Sequence, residues 1–451
     1  MTPVNPMDLG FLLLERRNQP MHVGGLILAR PPADAGPDYA QTLLRDMLAY
    51  QQPEAPFNQR LHRRAGVWCW TRDEEFDLDS HVYHLSLPEP GRIRELLALV
   101  SKLHSALLDR SKPLWEAYVI EGVQDGRIAL YIKVHHALVD GVAAMKLMQR
   151  VTSTDPAATV VAPWAVPPRI RDAATPERST TALTALADAA SQFRRHAGSA
   201  KTVATEVLRS IRARKTDPDY VSVFQAPRSL FNQRISGSRR FAAQSYAMAR
   251  IRNAADRHQA TINDIVLAMC GSALRRYLLD LGELPDKPLV AMVPVSMRRD
   301  DSEGGNQVAM ILANLATHLD DPLERLDTTV RSVNQSKQRF SRLSQGEILA
   351  YMTTVMAAHG ANMALGINPG WQAFNVIISN VPGPREPLYW NGAAVEGVYS
   401  VSIPIDGAAL NITLNSYADS LEFGLIGCRR TLPHMQRLLG YLDDGLSTLG
   451  A

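Results

Sequence analysis

The chain has 451 residues, 46% hydrophobic and 21% charged, a composition that is typical of a soluble globular protein and excludes a disordered one. This length exceeds one ordinary hydrophobic core and predicts two domains of similar size. A net charge of +3 gives no indication of a nucleic-acid partner, and three widely separated cysteines exclude a disulfide framework or a zinc motif.

The N-terminal segment MTPVNPMDLGFLLLERR has no basic region ahead of its apolar run, which ends at Glu15. It therefore lacks the pattern of a secretory signal. Together with the sparse cysteines, this predicts a cytoplasmic protein that is not secreted.

Strand-like and helix-like runs are mixed up to about Pro167. GGLILA and RIALYIKVHH are typical of strands, whereas RIRELLALVSKLHSALLD and VAAMKLMQRV have helical spacing. From about Pro168 to Tyr220 the chain is rich in Ala, Thr, Ser and Arg and lacks strand runs. This stretch predicts an exposed connector with amphipathic helices.

The mixed pattern resumes after Phe231. ATINDIVLAMCGSALRRYLLDLG predicts a helix that stops at Gly282, and LPHMQRLLGYLDDGLSTLG predicts a closing helix. Strands are predicted for PLVAMVPVSMR, FNVIISNVPGP, ALNITLNSY and SLEFGLIG. The expected fold class is α/β with mixed (α+β) sheets: an N-terminal domain (1–167), a basic helical connector (168–230) and a C-terminal domain (231–451), with a ligand cleft between the domains.

The segment from Ile348 to Pro384 contains no Asp, Glu, Lys or Arg. Its apolar residues recur at helical spacing, but polar residues, proline and glycine interrupt it. A buried helix is therefore favoured over a membrane span. Its small and apolar side chains would also suit the wall of an apolar tunnel.

The segment KVHHALVDGVAA places His135 and His136 at the end of a predicted strand, before a turn with Asp140 and Gly141. Successive strand side chains point to opposite faces, so only one histidine can project into a cleft while the other packs behind it. The ordinary interpretation is a pair of satisfied core histidines, but the complete HHxxxDG pattern favours catalysis. A histidine base suits removal of a proton from a hydroxyl that attacks an acyl carbon.

No GxSxG elbow, cysteine motif, HExxH or phosphate loop appears in the sequence. This absence of an alternative nucleophile favours direct transfer through one tetrahedral intermediate, without an acyl-enzyme. No metal site is expected.

The sequence resembles the bacterial wax ester synthase/diacylglycerol acyltransferase family, within the wider group of chloramphenicol acetyltransferase-like and condensation-domain enzymes. HHxxxDG alone leaves the wider group open. The resemblance is narrowed by elements in family order along nearly the whole chain: PMHVG, PLWE, TINDIVLA, PVSMR, GN, SNVPGP and GAALNITLNSY.

The resemblance implies two acetyltransferase-like domains sharing a substrate tunnel, acyl-CoA as donor, a long-chain alcohol or diacylglycerol as acceptor, and no cofactor beyond acyl-CoA itself. It makes His136 the general base and His135 its supporting residue. Asp140, paired with an arginine, and Gly141 would hold the loop. PLWE is expected to be architectural rather than catalytic.

Further residues are candidates for substrate binding. Asn263 and Asp264 lie in the ND motif, Ser379 and Asn380 end a strand before a Pro-Gly-Pro turn, and Asn411 is expected to face the tunnel. For the asparagines a turn or ladder hydrogen bond is an equal alternative. The small side chain of Ala144 would leave room for a substrate chain. Further candidates for binding the CoA phosphates are Arg239, Arg240, Arg298 and Arg299.

Between Arg194 and Lys215 the connector carries seven basic residues against a single acid, Glu206: Arg194, Arg195, Lys201, Arg209, Arg212, Arg214 and Lys215. The ordinary interpretation is a helix face exposed to solvent, and the more specific one is a surface that binds anionic lipid. We therefore expect peripheral association with the inner membrane face or lipid inclusions. The oligomeric state stays open, with a homodimer as an alternative.

Two other functions remain as alternatives. A stand-alone condensation-type acyltransferase would share HHxxxDG but use a carrier-bound acyl donor, and the chain offers no segment for a carrier domain. A catalytically silent lipid-binding protein would not need the intact HHxxxDG. A plant-type acyltransferase is disfavoured because no DFGWG appears.

Overall fold

A computed structural model of the chain describes residues 1–139, 141–167, 221, 225–296, 308–341, 343, 347–348, 350–351 and 372–450. Most of the predicted connector (168–230) lies outside these residues, and so do Asp140, Arg298 and Arg299.

The described strands follow the predicted runs and add others. In chain order they are β1 (Thr2–Pro3), β2 (His22–Arg30), β3 (Gln59–Arg64), β4 (Val67–Arg72), β5 (Val82–Ser86), β6 (Trp115–Val123), β7 (Arg127–His135), β8 (Arg239–Ala247), β9 (Val290–Ser296), β10 (Val308–Asn314), β11 (Val376–Val381), β12 (Tyr389–Trp390), β13 (Ala393–Val401), β14 (Leu410–Tyr417) and β15 (Ser420–Cys428).

The α-helices within the described ranges are α1 (Pro6–Leu14), α2 (Tyr39–Leu48), α3 (Ile93–Ser105), α4 (Gly141–Arg150), α5 (Met248–Arg257), α6 (Ile262–Leu281), α7 (Pro322–Phe340) and α8 (Arg437–Thr448). The predicted helix stop at Gly282 is confirmed, because Gly282 adopts a left-handed conformation with φ of 68° just after α6. At the other end of α6, Thr261 and Asp264 form a reciprocal capping box.

Two six-stranded mixed sheets form the body of the molecule, which confirms the predicted fold class. The first has the strand order β12-β13-β2-β7-β6-β5, and the second has the order β10-β9-β11-β14-β15-β8. A small sheet, β1-β4-β3, packs near α1. Strand β7 lies inside the first sheet with apolar cores on both faces, which explains its nearly continuous apolar sequence.

The sheet topology departs from the predicted division at one place. The prediction assigned all of 231–451 to the second domain, but β12 and β13 are strands of the first sheet, where β13 pairs with β2 from Gly24 to Arg30. The physical reason is that strand pairing between residues more than 300 positions apart leaves no mark on local hydrophobic periodicity. The chain thus returns to the first sheet before it completes the second.

The uncharged segment from Ile348 to Pro384 is described only in part. Ile348, Ala350 and Tyr351 are helical and buried, and β11 follows near the other end. The rest of the predicted buried helix lies outside the described residues. In the portions of the chain that are described, no helix is long and apolar enough to cross a membrane.

Candidate active site

The two histidines of KVHHALVDG lie where β7 ends, before α4 begins at Gly141. His135 is completely buried, whereas His136 is half-buried. His135 shares its face of β7 with Tyr131 and Lys133, as strand alternation requires, and this face packs towards α3. The predicted separation of the two side chains is therefore confirmed, while their chemical roles stay predictions.

Two backbone segments hold the histidines in place. The N–H of His135 donates to the carbonyl of Leu114 at 2.9 Å, and the N–H of His136 donates to the carbonyl of Met21 at 2.9 Å. Leu114 belongs to PLWE and Met21 to PMHVG. In the same PLWE, Trp115 is buried and donates from its indole to the Phe57 carbonyl at 2.8 Å, as the architectural interpretation expects.

The ring of His135 is held from both sides. The N–H of Ala137 donates to its Nδ1 at 3.1 Å, so the proton of the neutral ring lies on Nε2. Nε2 lies 3.4 Å from Oε2 of Glu15. This distance is longer than a well-aligned hydrogen bond, so the attraction is mainly electrostatic.

The ring of His136 stacks on Phe11, with ring centroids 4.0 Å apart and an interplanar angle of 18°. Phe11 belongs to α1 and lies one helical turn before Glu15. The N-terminal segment therefore contacts both histidines: Phe11 touches His136, and Glu15 faces His135.

A buried polar cluster lies behind the histidines. His22, opposite His135 in the sheet, lies with its Nε2 2.8 Å from the carbonyl of His104, and Nδ1 of His104 lies 2.7 Å from the hydroxyl of Tyr131. Burial lowers the pKa of His104 to about 3 and also holds the pKa of His22 well below its usual value. Both rings are therefore neutral at pH 7 and act as fixed hydrogen-bonding groups.

A buried ion pair supports the same face. Nζ of Lys133 lies 2.8 Å from Oε2 of Glu116, and it donates to the carbonyls of Leu103 and Ala106 at 3.2 and 3.1 Å. Burial lowers the pKa of Lys133, but the Glu116 carboxylate opposes that effect. The ion pair and its hydrogen bonds join β6, β7 and the end of α3, beside the turn formed by residues 135–139, hereafter the histidine turn.

The second domain reaches this region through the end of β11. Ala144 on α4 and Val381 on β11 pack against the same apolar cluster, together with Leu138 of the histidine turn. The N–H of Gly383, in the turn after β11, donates to Oγ of Ser416 at 2.9 Å. The structure therefore brings Ala144 and the SNVPGP segment to one place.

Within that segment, Ser379 and Asn380 are half-buried at the end of β11. Ser379 is opposite Thr413 in the adjacent parallel strand β14. Both positions are compatible with a substrate role, which stays a prediction.

The other candidates have structural partners. Asp264 is buried and caps α6 by accepting from the N–H and hydroxyl of Thr261 at 3.0 and 2.6 Å. Asn411 donates to the Ile403 carbonyl at 3.2 Å and accepts from the Thr413 hydroxyl at 3.1 Å. Asn411 thus makes structural hydrogen bonds, as its alternative interpretation expected, and Asp264 acts as a helix cap.

Asn263 differs from its neighbour. It is half-buried, and its Nδ2 is enclosed without a hydrogen-bond partner among the described residues. A donor in that state is available to a ligand, so Asn263 remains a candidate for substrate binding.

Arg239 does not suit the CoA phosphates. It is only 3% exposed, and its guanidinium donates to the carbonyls of Ser236 and Asn18. Burial lowers its pKa to about 10. The sequence could not show this, because one of the two partners, Asn18, is 221 positions away.

Sequence reasoning missed Glu15, Phe11 and the His22–His104 pair. A signal for the first two was present: Phe11 and Glu15 are four residues apart and share a helix face, and Glu15 is the first charge after an apolar run. No comparable local signal connects His22 with His104, which are 82 residues apart.

Two family models match the chain. The model of the wax ester synthase/diacylglycerol acyltransferase catalytic domain matches residues 4–266, and that of the WS/DGAT C-terminal domain matches residues 304–450. Among curated relatives, the O-acyltransferase WSD of Acinetobacter baylyi is 49% identical over 98% of this chain and 96% of the relative. The probable diacylglycerol O-acyltransferase tgs2 of Mycobacterium tuberculosis is 44% identical over 98% of both chains.

Solved structures agree with these matches. A wax ester synthase/diacylglycerol acyltransferase from Marinobacter aquaeolei VT8 superposes with a TM-score of 0.82 and 45% identity, covering 100% of this chain and 98% of that one. The first condensation domain of the calcium-dependent antibiotic synthetase covers 100% of this chain and 98% of its own at a TM-score of 0.59 and 14% identity, a likeness of fold alone. The chain therefore belongs to the wax ester synthase/diacylglycerol acyltransferase family.

Proposed function

We propose that the protein transfers a long-chain fatty acyl group from acyl-CoA to the hydroxyl of a long-chain alcohol, of diacylglycerol, or of both. The observation that carries this proposal is the arrangement of the two histidines in a chain of this family. His135 is fixed and buried, whereas His136 is half-buried after β7, two residues before Leu138, which packs with Ala144 against one apolar cluster.

In the proposed reaction His136 accepts the hydroxyl proton while the alcohol oxygen attacks the thioester carbonyl carbon. The carbonyl oxygen becomes an oxyanion in the tetrahedral intermediate. When the intermediate collapses, the C–S bond breaks, the CoA sulfur takes the proton from the His136 imidazolium, and the ester and free CoA leave. The stack on Phe11 and the bond from the His136 N–H to Met21 keep the ring oriented throughout.

Direct transfer is supported by the state of the three cysteines. Cys69, Cys270 and Cys428 are all buried. Burial raises the pKa of Cys270, which keeps its thiol protonated and unreactive. An acyl-enzyme on Cys270 therefore has no support. Burial alone would raise the pKa of Cys428, but hydrogen bonds from Ser236 and Thr431 outweigh it and lower that pKa; this thiol is nevertheless fully buried and does not reach a substrate.

The apolar cluster around α4 and β11 suits a hydrocarbon chain. Ala144, Leu147 and Val381 line its partly buried margin. Each buried CH₂ contributes about 0.8 kcal/mol, so a chain of sixteen carbons could derive much of its binding from such contacts. We propose that the acyl or alkyl chain runs along this margin.

We further propose that the protein works at a lipid surface. Leu13 and Leu14 at the end of α1 are 67% and 52% exposed, and Leu107 is 41% exposed. Arg16 and Arg17, which follow directly, are exposed as well. Exposed leucines beside arginines suit the boundary between acyl chains and anionic headgroups.

The two leucine-bearing segments are joined. Arg110, three residues after Leu107, donates to the carbonyl of Leu12 on α1. The exposed face formed by Leu13, Leu14 and Leu107 therefore includes the end of α1. The same helix carries Phe11, which stacks on His136. Acceptor lipid bound at this face would lie close to the histidine turn.

The lipid proposal is tested by sedimentation with vesicles containing phosphatidylglycerol. Replacing Leu13 and Leu14 together by serine should reduce the bound fraction severalfold. The control replaces Leu279 and Leu323, which are 47% and 46% exposed on the second domain, by serine. Equal binding of both double variants would contradict the proposal.

The catalytic proposal is tested with purified protein, palmitoyl-CoA and either hexadecanol or dioleoylglycerol. Free CoA and the lipid product should appear in equal amounts, and His136→Ala should reduce the rate at least a hundredfold. Failure to form either ester, or an undiminished rate in the variant, would refute the proposal.

A further inference from the structure

Glu15 is a buried carboxylate that the proposed reaction does not use. Its side chain is 4% exposed, and it lies just after α1. Burial alone would raise the pKa of Glu15, yet His135, the Met21 N–H and Arg110 together lower it to about 2. Because burying a charged group is costly, an ionised carboxylate inside the protein is expected to have a function.

Its contacts lead to both histidines. Oε2 faces Nε2 of His135 at 3.4 Å and also accepts from the N–H of Met21 at 3.2 Å. Oε1 accepts from Nε of Arg110 at 3.0 Å. The carbonyl of the same Met21 accepts the N–H of His136 at 2.9 Å. One carboxylate therefore contacts one histidine directly and the other through a single residue.

We infer that Glu15 is a positioning residue of the acyl-transfer site: it holds the proton of His135 on Nε2 and fixes the Met21 segment that carries His136. This inference rests on the proposed function, because it assigns a role within the same site. A carboxylate near one ring nitrogen favours the tautomer that carries its proton there, and the Ala137 N–H at Nδ1 selects the same tautomer.

The geometry also explains why a charged carboxylate, rather than a neutral group, lies beside His135. His135 is completely buried, so its ring cannot obtain a partner from solvent. Arg110 is 41% exposed and balances the charge of Glu15 from the outer side. Phe11, one turn earlier on α1, rests on His136, so a shift at Glu15 would reach the base by two routes.

The test compares Glu15→Gln and Glu15→Leu with the same two substitutions at Glu422. Glu422 is a matched control because it is also buried and bonded to side chains, Ser245 and Ser420, but it lies on the second sheet and contacts no histidine of the described ranges. The measurements are kcat and KM for palmitoyl-CoA and hexadecanol, the folded fraction from circular dichroism, and the ring tautomer of His135 from ¹⁵N-histidine NMR.

Glu15→Gln keeps an acceptor oxygen and should lower kcat about tenfold, while Glu15→Leu should lower it about a hundredfold, as is typical for the partners behind a functional histidine. KM should stay within about twofold in both variants if orientation alone changes. The Glu422 variants should keep kcat per folded molecule. His135 should show a single Nε2–H tautomer in the unmodified protein and a mixture in Glu15→Leu.

An unchanged kcat in Glu15→Gln and Glu15→Leu, or an equal loss in the Glu422 variants, would overturn the inference. So would the same single tautomer in Glu15→Leu. If Glu15→Leu does not fold, Glu15→Gln and its NMR spectrum decide. The NMR comparison needs no turnover, so inactivity of the unmodified protein would refute the proposed function while the role of Glu15 is still tested.

Discussion

The buried pair His22 and His104 should make the first domain sensitive to mild acid. Nδ1 of His104 faces the Tyr131 hydroxyl and Nε2 faces the Ser402 carbonyl at 3.1 Å, an arrangement that suits a neutral ring. Burial, with Arg239 and Lys133 nearby, lowers the pKa of His104 to about 3 from 6.5. The perturbation is therefore a fall in pH through the range between these two pKa values, where the unfolded chain binds a proton at His104 and the folded protein does not.

The sign follows from proton binding. Below pH 6.5 the unfolded chain binds a proton at His104 that the folded protein does not, so acid favours unfolding. The stability is present above pH 6.5 and is lost as pH falls towards 3. Each such histidine removes about 1.4 kcal/mol per pH unit within this window. Between pH 7.5 and 5.5, His104 should account for about 1.4 kcal/mol.

His22 should act in the same direction, since burial also lowers its pKa well below 6.5. The pair would then remove more stability over the same interval than His104 alone. Ser402 follows β13, so His104 connects the end of α3 with the strand that returns from the second domain.

The assay is urea unfolding at pH 7.5, 6.5 and 5.5, followed by tryptophan fluorescence, for the unmodified protein and for His104→Gln. The variant loses stability at every pH because the Tyr131 hydroxyl loses its acceptor, but its dependence on pH should be shallower by about 1.4 kcal/mol across the interval. An identical pH dependence in the two proteins would refute the reasoning.

Three further outcomes are expected. Gly424→Ala should lower the free energy of unfolding by about 1–3 kcal/mol, because a Cβ there would overlap the Ser400 carbonyl where the two sheets meet. Gly10→Ala is the control, since Gly10 has open space around it. Equal melting temperatures of the two variants would contradict this account. Ala144→Trp should shift the ester products towards shorter acyl chains, since Ala144 borders the apolar cluster, and an unchanged product profile by mass spectrometry would remove that idea. Dialysis against EDTA should leave the rate of CoA release unchanged, because the proposed acyl transfer relies on the His136 base to activate the hydroxyl. A loss of rate that a divalent metal restores would count against it.

Local patterns in the sequence predicted the elements that carry the site. The apolar run of β7, the helical spacing of α4 and the alternation that separates His135 from His136 are all properties of neighbouring residues, and the structure confirms them. PLWE was predicted to be architectural, and Leu114 and Trp115 are indeed buried supports of the turn.

Long-range pairings could not be predicted in this way. The contact of Glu15 with His135 spans 120 positions, and the bond of Arg239 to Asn18 spans 221. Asn411 illustrates the same limit: the Ile403 carbonyl that it binds comes from the loop before β14, which strand alternation does not reveal. Burial of a polar side chain depends on such partners, and the sequence does not reveal them.

The return of β13 to the first sheet has a consequence for synthesis on the ribosome. Strand β2 lies between β7 and β13, so its second edge is paired only after residue 401 has emerged. Until then the nascent chain exposes an unpaired, largely apolar strand next to the histidine strand, which is a template for aggregation. A fragment cut between the two family-model matches, at residues 266–304, would keep that open edge permanently. The N-terminal fragment is therefore expected to be insoluble when expressed alone and to become soluble when the C-terminal fragment is produced with it.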